Sequence, residues 1–143
     1  MIRLVRVTDA LPVGFAALRD EARAEGHSML DTLMAEWETR KTRFDRPGEA
    51  LAVGYSDEIL AGISGVTIEP AIASAFRMRR FYVRAAFRRS GVARQLALAL
   101  LEGTPRLGRV FTANASVGSE AFWEALGFAP DRRDGRTHIL TLK

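Results

Sequence analysis

The chain is 143 residues long and 48% hydrophobic, which suits one domain, residues 1–143, with a substantial core. It has no cysteine, which excludes disulfides, thiolate metal sites and a cysteine nucleophile, and its two histidines, His27 and His138, are too far apart in sequence to suggest a metal site. The formal charge of +4 rests almost wholly on arginine, with seven arginines between Arg77 and Arg94; few aromatics interleave with them, which argues against a nucleic-acid partner.

The N-terminal "MIRLVRVTD" lacks the apolar run and cleavage site of a signal peptide, and no segment approaches the roughly 18 apolar residues that span a bilayer. A cytoplasmic protein with no membrane partner is the expectation. Within that start, "IRLVRV" alternates apolar and basic residues and predicts a half-buried strand. A helix is predicted next, with Asp9 as its cap, Leu11, Phe15, Leu18 and Ala22 on one stripe, and Gly26 as its stop. A second helix opens at Ser28, where Asp31 three positions on suggests a capping box. Its apolar stripe runs through Leu30, Leu33, Met34 and Trp37 to Phe44, before Pro47 and Gly48 break it.

"ALAVGYS" and "ILAGISGVTI" predict two strands joined by a tight turn at Ser56 to Glu58. "SAFRMRRFYVR" is a third, longer strand, and a helix from Gly91 to Glu102 follows. "RVFTANA" then predicts a strand, "SVGSEAFWEALGF" a helix stopped by Gly127, and "RTHILTL" a final strand after a turn at Asp134 and Gly135. The predicted order is β-α-α-β-β-β-α-β-α-β. Consecutive central strands followed by a β-α-β unit indicate an α/β (α+β) fold, a mixed sheet with helices on both faces.

The stretch from Phe81 to Leu101, "FYVRAAFRRSGVARQLALALL", joins an apolar strand to an apolar helix through an arginine-rich loop. The first turn of a helix has unpaired N–H groups and partial positive charge, so it attracts anions. Gly91 has no Cβ and lets a phosphate approach the backbone; Ala93 is small at the next exposed position. Arg88, Arg89 and Arg94 supply charge-assisted contacts to phosphate oxygens. Neither a P-loop motif nor G-x-G-x-x-G is present.

"RRSGVA" resembles the R/Q-x-x-G-x-G/A loop of the GNAT superfamily of N-acetyltransferases, with Arg88, Gly91 and Ala93 in the defining positions. The strand "RRFYV" ends five residues before Arg88 as the family's strand does. "AFWEALGF" is similar to the family's "FYEKLGF" helix, and the element order agrees over essentially the whole chain. The resemblance implies a mostly antiparallel central sheet and acetyl-CoA as co-substrate, with no metal. Amides of the loop residues Arg89, Ser90, Gly91, Val92, Ala93 and Arg94 would cradle its pyrophosphate. The strand ending at Val83 would splay from "RVFTANA", so that Phe81, Tyr82 and Val83 pair with the pantetheine arm like an added strand. Asn114, Ser119 and Phe122 are expected beside that arm, and the Val83 N–H is the candidate to polarise the thioester carbonyl.

Two departures from the family pattern stand out. Many members carry an acidic residue on the strand that here reads "AFRMRRFYV", where Arg77, Arg79 and Arg80 stand instead. The general base is left among Glu36, Glu69, Asp31 and His27, with His27 at the join of the first two helices, a region that borders the acceptor in this family. Trp123 occupies the position of the usual tyrosine acid, and an indole N–H is not a usable acid. A thiol pKa near 8.5 makes the thiolate a tolerable leaving group, and Ser116, Ser119 or a water could assist it. Ser116 is also a candidate cap of the last helix. Arg77 and Arg79 share a strand face by the two-residue period and, if that face lines the acceptor groove, favour an acceptor carrying carboxylate or phosphate.

The expectation is an acetyl-CoA-dependent N-acetyltransferase that acts on a small-molecule or protein amine by direct attack in a ternary complex. The alternative is a catalytically weak acetyl-CoA-binding or sensing domain, and a homodimer is compatible with the resemblance.

Overall fold

The computed structural model describes residues 1–103 and 110–142. The alternating N-terminal segment forms β1 (Ile2–Arg6), and the two apolar runs form β2 (Ala50–Ser56) and β3 (Ile59–Ile68). Asp57 and Glu58 both take positive φ, 48° and 67°, as a tight two-residue hairpin turn requires. Then come β4 (Ala75–Val83), a single 3-10 turn (Ala85–Phe87), the helix α3 (Val92–Gly103) and β5 (Val110–Ala113). The C-terminal part consists of α4 (Glu120–Ala125), β6 (Ala129–Arg133) and β7 (Arg136–Thr141). Arg109, where the sequence places the start of β5, lies outside the described residues.

Among the described residues the strands form one sheet in the order β1-β2-β3-β4-β5-β7-β6. Every neighbouring pair is antiparallel except β4 and β5. The helices α1 (Phe15–Ala24) and α2 (Met29–Thr39) cover one face, where Leu18, Leu30, Leu33 and Trp37 pack on Leu51, Val53, Ile63 and Tyr82. On the other face α3 and α4 bring Leu96, Leu100 and Trp123 against Val66, Phe76, Met78 and Phe111. Each such side chain, fully buried, contributes about 1.5–3 kcal/mol. No helix among the described residues is long and apolar enough to cross a membrane.

The structure corrects several boundaries. Asp9 caps nothing: α1 starts only at Phe15, because Pro12 interrupts the chain and Gly14 takes φ 95° at the N-cap. Leu11 therefore lies before the helix. The capping box at Ser28 does not form, since Asp31 turns to Arg19 and Arg23 of α1 instead. The helix α2 ends at Thr39, and Phe44 reaches the core from the following loop. Ser119, not Ser116, stands at the N-cap of α4. The strand β6, with Pro130 and three charged residues, escapes the sequence pattern because it is the sheet's edge, where one side needs no partner.

Candidate active site

The strand β4 is where the sheet comes apart. It pairs with β5 only from Ala75 to Arg77, opposite Val110 to Thr112. Against β3 its register jumps by one residue: Gly65 faces Arg79, but Ile63 faces Tyr82. The extra residue makes a β-bulge in which Arg80 and Phe81 stand opposite Ser64, and Arg80 has φ 58°. Beyond it β4 continues to Val83 beside β3 alone. The Arg84 N–H donates to Ala61 O at 2.8 Å, so by strand alternation the Val83 N–H points the other way, into the gap left by β5.

A cleft of about 560 Å³ occupies this gap. On the α3/α4 side it is lined by Phe81, Val83, Ala93, Phe122 and Trp123, and along its far edge by Asn114, Ser116 and Ser119. Phe81 meets Trp123 edge-on with 4.9 Å between centroids, and Phe122 and Phe128 complete the aromatic cluster. Trp123 is buried. Ser116 Oγ donates to Ser119 Oγ at 3.2 Å at the exposed lip.

The loop from Arg84 to Gly91 closes one end. Gly91 has φ 93°, and a Cβ built there would meet nothing closer than 3.9 Å. Glycine is thus required by the backbone, while the space beside it is open. Arg89 also takes positive φ, and Arg89, Ser90 and Arg94 are exposed. The Ser90 hydroxyl donates back to Phe87 O.

Three of the expected ligand-binding residues have side chains engaged within the protein. Val92 is fully buried, and its side chain packs toward Gly54 and Gly62, so its side chain belongs to the core. Tyr82 turns onto the α1/α2 face, where its hydroxyl bonds with Glu25 at 2.5 Å and Glu21 at 3.2 Å. Its place opposite Ile63 also aims its backbone at β3, away from the gap. Burial and the Glu25 carboxylate push the Tyr82 phenol well above its usual range. Arg88 spends its guanidinium on Glu25 and Val83 O, so it braces the loop against α1. Sequence patterning gave no sign of this network, in which Glu21 also receives Arg84 at 3.3 Å and the Ala85 N–H at 3.0 Å. The Arg88 guanidinium holds Glu25 below the usual carboxylate range, helped by the Tyr82 hydroxyl.

The opposite wall carries His27, Met29, Arg77, Arg79 and Arg80. Of the four base candidates, only His27 lines the cleft, 6.3 Å from the Tyr82 ring centroid. Asp31 is held at about 2 by Arg23 and Arg19, on the outside of the helix pair. Glu36 accepts both Arg80 Nε and an Arg80 terminal nitrogen, at 3.1 and 2.9 Å. Glu69, fully buried, accepts Arg77, the Thr112 hydroxyl and the Ala71 N–H. Burial alone would raise the Glu69 pKa; those three bonds and the Arg77 charge outweigh it and hold the carboxyl below its usual range. No group of side chains suited to a metal ion occurs among the described residues.

A sheet parted at one strand, with a helix-start loop at the mouth of the gap, is an open cleft of extended shape. Comparison with known families makes this specific. Residues 18–141 match the acetyltransferase (GNAT) domain, and the chain belongs to the GNAT acetyltransferase family. That family in general uses acetyl-CoA and acts on amine acceptors. The fold resembles a candidate acetyltransferase from Exiguobacterium sp. 255-15, with TM-score 0.89 and 20% identity over 99% of this chain and 93% of that one. A GNAT-family acetyltransferase from Staphylococcus aureus Mu50 gives TM-score 0.76 and 10% identity over the whole of both chains. An acetyltransferase from Streptococcus agalactiae 2603 also gives 0.76, with 13% identity over 99% and 98%. A search of curated protein sequences found no match.

Proposed function

We propose that residues 1–143 act as one N-acetyltransferase domain, transferring acetyl from acetyl-CoA directly to a primary amine in a ternary complex. The observation that carries this reading is the β4/β5 gap opening beside the unblocked Gly91 loop. Its dimensions and groups suit the donor: free amides at the start of α3 for phosphate, and an unpaired strand edge for an amide-bearing arm.

Acetyl-CoA, when bound, supplies an acyl carbon joined to a thiolate leaving group. The Val83 N–H donates to the thioester oxygen as negative charge develops there. His27 takes the proton from the acceptor ammonium, directly or through water, because the three carboxylates are engaged by arginines. The amine nitrogen bonds to the acyl carbon while the carbon–sulfur bond breaks. Sulfur leaves as thiolate and is protonated from solvent near Ser116 and Ser119, since Trp123 cannot act as an acid. Phe81, Phe122 and Trp123 exclude water from the reacting carbon. Asn114, on the cleft's far edge, bonds the arm in this reading.

The test is release of free thiol from acetyl-CoA with a panel of primary amines, in the wild type and in His27→Gln. We expect turnover with at least one amine, a fall in kcat of about a hundredfold in the variant, and unchanged coenzyme A affinity. Coenzyme A binding without thiol release across the panel would instead support the sensing domain, the second reading, which Trp123 motivates.

A further inference from the structure

The acceptor side of the cleft has a charge imbalance with one identifiable source. Three guanidinium groups, Arg77, Arg79 and Arg80, stand together on that wall. Two are neutralised: Arg77 by Glu69 at 2.7 Å and Arg80 by Glu36 at 2.9 Å. Arg77 is further fixed by Asp134 O, at 2.8 Å. Arg79 is different. Among the described residues it enters no ion pair, and its Nε donates only to the neutral Thr67 hydroxyl, at 2.7 Å. Three cations against two carboxylates leave one positive charge, and it resides on Arg79.

Its location is equally specific. Arg79 lines the cleft and also a second cavity of about 660 Å³ on the same side, whose wall includes Arg40, Lys41, Arg43 and Arg46 against Glu36, Asp45 and Glu49. Of those cations Arg43 is tied to Trp37, through Trp37 O at 3.0 Å and by stacking over its ring at 4.4 Å. Burial, with repulsion from Arg80 and Arg77, lowers the Arg79 pKa. A half-buried arginine kept this way is costly unless something completes it. A guanidinium with terminal N–H groups to spare presents two parallel donors, which match a carboxylate or phosphate.

The geometry points to Arg79 as the residue that selects the acceptor: the substrate is a small primary amine that carries an oxyanion. This rests on the N-acetyltransferase reading of the cleft and narrows its substrate class. Arg79 and Val83 lie four residues apart on β4, on the order of 10 Å along the strand, so the amine and the anion belong to one compact molecule. The same excess charge repels polyamines and other purely cationic acceptors and favours the neutral, nucleophilic form of the bound amine. Carboxylate and phosphate share this chemistry.

The experiment compares ω-amino carboxylates and aminoalkyl phosphates of two to five carbons with uncharged amino alcohols and with diamines of equal length, by thiol release. For the best anionic amine, kcat/KM exceeds that of its neutral analogue by about tenfold or more, with the gain in KM. The carboxylate and phosphate arms tell which oxyanion is preferred. In Arg79→Gln the ratio of anionic to neutral kcat/KM collapses toward one, and in Arg79→Lys it is partly kept. Equal or better turnover of neutral amines or diamines by the wild type overturns the proposal, as does a ratio unchanged in Arg79→Gln. If no amine is turned over, the transferase reading fails separately, and the same amines are titrated by calorimetry into coenzyme A-loaded protein. Binding of the anionic members that Arg79→Gln abolishes then upholds the anion site; absence of binding, or binding indifferent to Arg79, overturns it.

Discussion

The two halves of β4 differ in what surrounds them. From Ala75 to Arg77 the strand has neighbours on both edges, and the Arg77 guanidinium is locked by a buried carboxylate. From Phe81 to Val83 it has β3 on one edge and open cleft on the other. One inserted residue at Arg80, opposite Ser64, separates them, turning side chains that would alternate evenly onto new faces. The closed half supplies rigidity. The open half is left free to bind, and its geometry is inherited from the rigid half.

Breaking the closed half carries the largest expected effect. Glu69→Ala strands Arg77 and the Thr112 hydroxyl in a buried site and costs about 3–5 kcal/mol, read from urea denaturation. The same carboxyl gives a pH signature. Its folded pKa lies below the unfolded value, so its contribution is present above about pH 4.3 and is lost as pH falls through the folded value. Acid denaturation of the wild type followed below about pH 4.3 should be steeper than in Glu69→Gln.

At the open half, Gly91→Val forces a β-branched residue to φ 93° and fills the space beside the loop. Coenzyme A affinity is expected to fall about a hundredfold, or ~3 kcal/mol, by calorimetry. A smaller effect tests the brace between loop and α1. Tyr82→Phe removes the hydroxyl shared by Glu25 and Glu21 and costs about 1 kcal/mol of stability. Smallest is Trp123→Tyr, which restores a phenol at the cost of packing against Phe81 and Phe128. Its kcat should change by less than about tenfold, because a thiolate leaves readily without an acid.

The same contrast explains what was legible in the sequence. The loop "RRSGVA" stands out in the sequence because a short local pattern carries it; the positive φ of Gly91 is a further local reason for glycine there that the sequence reading did not name. The strands β2, β3 and β4 follow from apolar patterning for the same local reason. Arg77 and Arg79, however, look alike in a two-residue period and have different fates, because Glu69 reaches Arg77 across the fold while Glu36 pairs with Arg80 and leaves Arg79 on the neutral Thr67 hydroxyl. The bulge at Arg80 leaves no glycine or proline to mark it. Tyr82 lines the cleft, yet its hydroxyl is turned toward Glu25 by the bulge, which the sequence pattern does not show. Long-range charge pairing and a one-residue register shift are tertiary facts, and no window of sequence contains them.

In the proposed function, the open edge of β4 and the Gly91 loop together receive the acetyl-CoA arm and its phosphates. Backbone amide resonances recorded with and without coenzyme A test it most directly. Large shifts are expected at Val83 and at Arg89 through Arg94, with little change at β1 or at Thr42 through Arg46 in the second cavity. Shifts concentrated in that second cavity, with Val83 and Gly91 unmoved, would contradict it.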